Sequence, residues 1–320
     1  MNISILGAGR WGTLNAWYQS FIGNSALLLG RENSSSFQEL IKTRKNEYLT
    51  LQNDVEFTTS LSDALKNDMI LISIPCQKLR SLCKDIRGLD ISLNNKTFIL
   101  SMKGLENSTG KRLTEIVREE LGNEPNIAIF TGPGHAQSIT NKIPTCMVID
   151  SDNEVVKNEI VENFSSSLIR IYKGTDLIGN EIGAATKNII GIAAGMLDGL
   201  NLSELKGALM TRGSTEVSRI IEACGGNGNS AYGLSHLGDY EATLFSKYSN
   251  NRLFGEDFIK GIKMDKTAEG VETLKAILKI SKEYDLETPI CSSLYKVIFE
   301  KADYKKVLDE LFSRPIKDEF

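Results

Sequence analysis

Lys187 stands in the middle of Asn180-Glu181-Ile182-Gly183-Ala184-Ala185-Thr186-Lys187-Asn188-Ile189-Ile190-Gly191-Ile192-Ala193-Ala194-Gly195, a run of small and apolar residues that reads as a helix buried on most sides. An ammonium in that setting loses hydration, needs a carboxylate or ligand partner, and has its pKa lowered toward values useful for proton transfer. The competing reading is a surface lysine whose stem lies on the helix while its charge reaches water. Asn180 precedes Lys187 by two helical turns on one face, and Gly183 and Ala184 between them leave space for a small molecule. Lys103-Gly104 follows an apolar run, Thr97 to Ser101, which places a second ammonium at a sheet edge, where a solvated lysine is the plain alternative. Gly132-Pro133-Gly134-His135-Ala136 follows the next such run, and its glycines either bring backbone amides close to an anion or make an ordinary turn.

The other polar candidates lie in the second half. Gly238-Asp239 precedes a helix, and Ser249-Asn250-Asn251-Arg252 forms a polar cluster suited to hydroxyls or phosphate oxygens. Asp239 also reads as an N-cap, and Glu269 at the head of a later helix has a plain dipole explanation. His135 and His236 are the only histidines; without a spaced partner neither makes a metal site, and both read as packing or capping residues.

What must position these groups begins at the amino terminus. Ile3 to Gly12 read Ile-Ser-Ile-Leu-Gly-Ala-Gly-Arg-Trp-Gly, an apolar strand running into Gly7, Gly9 and Gly12, with Thr13 to Phe21 continuing as a helix. This is a dinucleotide-binding fingerprint: the first glycine permits a tight turn, the second lets backbone approach a pyrophosphate, and the third lets the helix pack on the strand. The alternative is a strand-to-helix turn without a ligand. The acid that binds the ribose diol of NAD, expected about 20 residues on, is replaced by Gly30-Arg31-Glu32 at the end of Ala26 to Leu29. Arg31 suits a 2′-phosphate, so NADP is favoured, and Glu32 beside it keeps NAD as the alternative.

Strand-like runs at Ala26 to Leu29, Val55 to Thr58, Met69 to Ile74, Thr97 to Ser101, Ile127 to Phe130, Cys146 to Ile149 and Leu168 to Tyr172 alternate with helical patterns. Ile70-Leu71-Ile72-Ser73-Ile74-Pro75 has the continuous apolar character of a central strand buried on both faces. From Gly179 onward the pattern is helical only, at Asn180 to Leu200, Ser203 to Ala223, Thr267 to Tyr284 and Ile290 to Ala302. The expected fold class is α/β: an N-terminal Rossmann-like, doubly wound, mostly parallel sheet over 1–178, followed by an all-α C-terminal domain over 179–320. In such folds ligands sit beyond the carboxyl ends of the strands, where Pro75, Lys103 and Gly132 fall.

The 320 residues, 41% hydrophobic and 24% charged, suffice for two domains with real cores. A net charge of -4 with no Lys/Arg block argues against a nucleic-acid or membrane-surface partner. Met1-Asn2-Ile3 enters the first strand directly, leaving no room for a signal peptide, and the longest apolar helical run, Ile189 to Leu197, is too short to span a bilayer. Cys76, Cys83, Cys146, Cys224 and Cys291 are scattered and odd in number, as expected for reduced thiols in a cytoplasmic protein.

In order along nearly the whole chain, Gly7 to Gly12, Lys103-Gly104-Leu105-Glu106, Gly132-Pro133, Gly183 to Asn188, Thr211-Arg212-Gly213, Leu237-Gly238-Asp239, Ala268-Glu269-Gly270-Val271-Glu272-Thr273 and Ser313-Arg314-Pro315-Ile316-Lys317-Asp318 resemble the bacterial type of NAD(P)-dependent glycerol-3-phosphate dehydrogenase. The resemblance implies a reversible reduction of dihydroxyacetone phosphate to sn-glycerol 3-phosphate that supplies glycerophospholipid synthesis. It implies that Lys187 donates the proton, Lys103 contacts cofactor and substrate, and Asp239 holds the substrate hydroxyls and the Lys187 ammonium. On the same basis the cofactor meets Gly7, Gly9, Arg10, Trp11, Gly12 and Arg31, and also Lys103, Ala136, Asn250 and Glu269. The substrate meets Lys103, Gly132, Gly134 and Lys187, together with Asp239, Ser249, Asn250 and Asn251. A homodimer is a family expectation.

Three departures stand out. Family members carry serine or threonine at Gly134, and arginine at Asn250, where it contacts substrate phosphate and cofactor; Arg252 is near enough in sequence to compensate. The stretch between Phe254 and Glu269 is short, which implies a trimmed lid over the cofactor. Because the first two changes fall where the phosphate binds, a related dehydrogenase acting on another small hydroxy-ketone is the alternative reading. A catalytically inactive nucleotide sensor is the third, disfavoured by a desolvated lysine at 187 with an aspartate at 239.

Overall fold

The computed structural model describes residues 1–263, 268–316 and 318–319. Eight strands, β1 (Asn2–Leu6), β2 (Ser25–Leu29), β3 (Glu56–Thr58), β4 (Met69–Ile72), β5 (Thr97–Leu100), β6 (Asn126–Thr131), β7 (Thr145–Ser151) and β8 (Ile169–Lys173), form one sheet in the order β3-β2-β1-β4-β5-β6-β7-β8. Every neighbouring pair is parallel except β6 and β7, which pair Ala128 with Ser151 in antiparallel register. All the strand runs expected from sequence form strands; β4 ends at Ile72, two residues before the expected Ile74.

Seven helices accompany the sheet: α1 (Arg10–Phe21), α2 (Ser35–Thr43), α3 (Leu61–Ala64), α4 (Leu79–Arg87), α5 (Leu113–Leu121), α6 (Ala136–Thr140) and α7 (Glu154–Phe164). Alternate strand residues separate onto opposite faces. Ile3, Ile5, Leu71, Ile99 and Phe130 pack with α1, α2, α6 and α7, whereas Leu6, Ile70, Ile72, Phe98, Leu100 and Ile129 pack with α3, α4 and α5. The strand order reverses between β1 and β4, and a crevice opens at such a switch point beyond the carboxyl ends of the strands.

The helical half contains α8 (Leu177–Gly199), α9 (Lys206–Ala223), α10 (Asn250–Lys260), α11 (Glu269–Glu283), α12 (Pro289–Phe299) and α13 (Tyr304–Phe312). Thr267, the expected start of α11, lies outside the described residues, as do 264–266 of the segment expected to form a trimmed lid and Lys317 of the tail motif. Helix α8 starts at Leu177, three residues before the expected Asn180, because Asp176 caps it by accepting from Gly179 N at 3.1 Å. Its amino-terminal turns are tied to the sheet. Asp150 Oδ2, on β7, accepts from Asp176 N at 3.0 Å and Asn180 Nδ2 at 2.8 Å, while Glu181 accepts from Arg112 Nη1 at 2.7 Å and Thr114 N at 3.0 Å.

Further along α8, glycines recur every four residues on the face that receives α10. A Cβ on Gly195 would stand 1.8 Å from Arg252 O, one on Gly199 2.9 Å from Ile259 Cβ, and one on Gly255 of α10 2.0 Å from Ile192 O. Backbone therefore meets backbone along this seam, and α10 sits closer than side chains would permit. Gly195→Ala should cost about 1–3 kcal/mol of unfolding free energy in urea titration, the range for overpacking. Gly207→Ala in α9, with nothing within 4 Å of its Cβ position, should be neutral or stabilising by up to about 1 kcal/mol. Equal effects of the two would show that the seam is not close-packed.

Candidate active site

Three loops and one helix converge beyond the carboxyl edge of the sheet. Lys103 follows β5, and its Nζ lies 2.6 Å from Asp239 Oδ2 and 3.0 Å from Gly132 O, which follows β6. Lys187 reaches the same Asp239 Oδ2 from α8 at 2.7 Å and donates to Thr243 Oγ1 at 2.8 Å. Thr243 in turn donates to Asp239 O at 2.7 Å. Asp239 sits in a short 3-10 turn, Leu237–Asp239, and is 1% exposed, so its carboxylate serves the two ammoniums in place of the helix cap read from sequence.

Backbone geometry makes this convergence possible. Gly104 (φ +142°) and Gly132 (φ +130°) adopt conformations that favour glycine, and a Cβ on Gly104 would stand 2.5 Å from Cys76 Sγ. Burial pushes the Lys187 ammonium down to about 8, against the opposing pull of Asp239; the Lys103 charge lowers it further. Glu269, the first residue of α11, has its carboxyl pushed up by burial, with the Lys103 and Lys187 ammoniums opposing. His135 is pushed down by burial, and its Nε2 is buried without a hydrogen-bond partner.

Other candidates are placed differently from the sequence reading. Asn180 does not share an open face with Lys187: its amide is spent on Asp150, and a Cβ on Gly183 would lie 3.1 Å from His236 Cβ. The ring of His236 occupies the space expected there, with Nδ1 2.9 Å from Gly183 O and Nε2 2.7 Å from the Tyr240 hydroxyl. A cavity of about 10 Å³ remains beside Lys103, Asn180 and Ala184. Burial drives the His236 ring down to about 4, which accords with the expected packing role.

Arg252 does not stand in for the arginine absent at Asn250. Its Nη1 is 2.6 Å from Asp198 Oδ2 and 2.9 Å from Glu256 Oε2, and its Nε donates to Ser246 O. Ser249 caps α10 by accepting from Arg252 N at 3.3 Å, Asn250 is the first helical residue, and Asn251 Oδ1 accepts from Gly270 N at 2.9 Å. Thr243 was not singled out in the sequence; the available signal was its position four residues after Asp239, on the same face of a helical turn.

The fingerprint glycines fit a dinucleotide. A Cβ on Gly7 would stand 2.2 Å from Ser73 O and one on Gly12 1.8 Å from Gly7 O, whereas a Cβ on Gly9 would have nothing within 4 Å, which leaves its backbone open to a ligand. Helix α1 has no side-chain cap, so its first amides keep their donors for an anion. The Trp11 indole lies against Gly134, where a Cβ would meet Trp11 Cη2 at 2.5 Å, and Trp11 Nε1 is buried without a partner. Ala136 opens α6 next to that contact and is buried. Arg10 lies on Tyr48, and Arg31, just beyond β2, is exposed.

Residues 2–157 match the family described as NAD-dependent glycerol-3-phosphate dehydrogenase N-terminus, and 176–309 its C-terminus. The chain is 36% identical to a glycerol-3-phosphate dehydrogenase [NAD(P)+] of Clostridium botulinum (strain Eklund 17B / Type B), over 99% of this chain and 98% of that protein. It is 35% identical to the protein of the same name from Prosthecochloris aestuarii, over the full length of both. A solved glycerol-3-phosphate dehydrogenase from Coxiella burnetii superposes with a TM-score of 0.91 at 28% identity, covering 98% of this chain and 99% of that one. From the fingerprint turn, the paired lysines and these likenesses together, the chain belongs to the NAD-dependent glycerol-3-phosphate dehydrogenase family.

Proposed function

We propose that the chain reduces dihydroxyacetone phosphate to sn-glycerol 3-phosphate in the cytoplasm, using NADPH in preference to NADH, and so supplies glycerophospholipid synthesis. The observation that carries this reading is one carboxylate oxygen, Asp239 Oδ2, held by both Lys103 and Lys187 beyond the sheet edge that carries the fingerprint. The reading divides the chain into a dinucleotide-binding domain, 1–178, and a substrate domain, 179–320, and includes the homodimer expected of the family.

The reduced nicotinamide supplies the hydride. The chain supplies the proton and the polarising charge. An ammonium has three N–H donors; two of those on Lys187 go to Asp239 and Thr243, which leaves one for the ketone oxygen. As hydride adds to the carbonyl carbon, the C=O π electrons move to that oxygen and take the proton from Lys187, which ends neutral. A donor held near 8 gives up its proton more readily than an ordinary lysine, and a desolvated cation opposite the oxygen stabilises the developing alkoxide. Lys103, with Gly132 O and Asp239 as partners, likewise keeps one N–H for a substrate or cofactor oxygen. Asp239 holds the two cations together and has lone pairs left for a substrate hydroxyl.

For the phosphate, the support is the amino terminus of α10, where the amides of Asn250 and Asn251 and the helix dipole favour an anion. The neutral Asn250 and the commitment of Arg252 to Asp198 and Glu256 favour a second reading, hydride transfer to an unphosphorylated hydroxy-ketone. Turnover of dihydroxyacetone phosphate should exceed that of dihydroxyacetone in kcat/KM by roughly 10- to 100-fold, the worth of a charge-assisted contact. Equal values would move the assignment to the second reading.

Lys187→Ala should lower kcat by about 10² to 10⁴ while NADPH affinity holds. Undiminished turnover would remove the proton-donor role, and a parent protein inert toward every ketone would leave the sensor reading. In the parent, kcat/KM for reduction should fall as pH rises through about 8, because the donor must be protonated. Asp239→Asn removes the charge that keeps the proton on Lys187, so residual activity should fall away at lower pH than in the parent. An alkaline limb that does not move would mean that another group titrates.

A further inference from the structure

Arg10 departs from the line of α1. Its guanidinium lies over the Tyr48 ring, 4.2 Å from the centroid, and Nη2 donates to the Tyr48 hydroxyl at 2.7 Å. Tyr48 belongs to the loop between α2 and β3 that is closed by the Lys45–Thr50 bridge. Asn46 Oδ1 fixes that loop by accepting from Tyr48 N at 2.8 Å and Leu49 N at 3.0 Å. Tyr48 lies in the connection that leads into β3, and the strand order places β2 and β3 on the side of β1 away from β4, so Arg10 is turned to the side of the fingerprint on which Gly30 and Arg31 follow β2. Lys103 and Gly132 follow β5 and β6, on the opposite side of the switch point.

Neither Arg10 nor Arg31 forms an ion pair among the described residues. A guanidinium has five N–H donors; one is spent on Tyr48, and the ring and hydroxyl together hold the fork in place without neutralising its charge. A planar, oriented and unneutralised fork matches the oxygens of a phosphate. Two phosphate positions of a dinucleotide are available in this crevice. The pyrophosphate belongs over Gly9 and the first amides of α1, whereas a phosphate on the adenosine ribose belongs at the end of β2.

We propose that Arg10, with Arg31 as the second arm, grips the 2′-phosphate of NADP and determines cofactor specificity, and that Tyr48 is the positioning residue that holds the fork. This rests on the reading of the chain as an NADP-preferring dehydrogenase. It moves the main discriminating contact from the exposed Arg31 to Arg10, inside the fingerprint itself.

The test is calorimetric binding of adenosine 2′,5′-bisphosphate and of 5′-AMP to the full chain, in the parent and in Arg10→Ala, Arg10→Lys and Tyr48→Phe. The parent should bind the bisphosphate more tightly. Arg10→Ala should weaken the bisphosphate by roughly 10- to 100-fold, the worth of a charge-assisted fork, and leave 5′-AMP unchanged, which also reports that the variant is folded. Tyr48→Phe keeps the ring and loses the hydroxyl, so it should weaken the bisphosphate less than Arg10→Ala does and again spare 5′-AMP. Arg10→Lys should not restore the loss, because a point charge does not reproduce the fork. Equal binding of the two ligands by the parent, or equal weakening of both by Arg10→Ala, would overturn the proposal. A parent that binds the bisphosphate tightly but does not reduce dihydroxyacetone phosphate would sink the dehydrogenase reading and leave the grip standing.

Discussion

Burying the Lys187 ammonium is the constraint on which the rest of the molecule turns. A charge taken out of water in the middle of an apolar helix is costly unless a counter-charge is carried to it. The counter-charge, Asp239, comes from a turn more than fifty residues away in sequence, and it is itself buried, so it must be held by more than one cation or donor. Lys103 supplies the second cation from the sheet half. The pair of halves is thereby joined through one carboxylate oxygen, and the cleft between them cannot be assembled by either alone. What is costly for stability is useful for chemistry: the same desolvation that lowers the pKa of Lys187 strengthens its field on any oxygen placed beside it.

Holding that arrangement falls to α8. Its amino-terminal turns are tied to β7 through Asp150 and to the start of α5 through Arg112, Thr114 and Glu181, a fully partnered set of buried polar groups. Its later turns present glycines to α10, which brings Ser249, Asn250 and Asn251 to the turn of α8 that follows Lys187. The helix thus positions the buried Lys187 ammonium at its centre, fastens to the sheet before it, and seats the start of α10 after it. Asp198 near its end completes the seating by engaging Lys206 and Arg252, which explains why Arg252 is not free to face the cleft.

Much of this was legible in the sequence because burial on both faces writes itself as uninterrupted apolar runs. Met69 to Ile72 and Thr97 to Leu100 are such runs, and the fingerprint glycines declared the crevice beside them. Lys187 was legible for the converse reason, a charge among residues that exclude water. Asn180 misled because helical periodicity reports which residues share a face and not what fills the space beside it; the ring of His236 fills it. Thr243 and the commitment of Arg252 were out of reach because both depend on partners, Lys187 and Asp198, that meet them only through tertiary packing. The direction of Arg10 depended in the same way on Tyr48, thirty-eight residues on.

The contact between Trp11 and Gly134 ties the turn after β6 to the first helix. The indole occupies the place where a side chain at 134 would begin, so any residue larger than glycine there requires the ring to move. The two positions are epistatic: the effect of a change at one is set by the identity and pose of the other. A substitution at 134 therefore reports on the pose of Trp11 as well as on its own chemistry, and only changing both positions together separates the two.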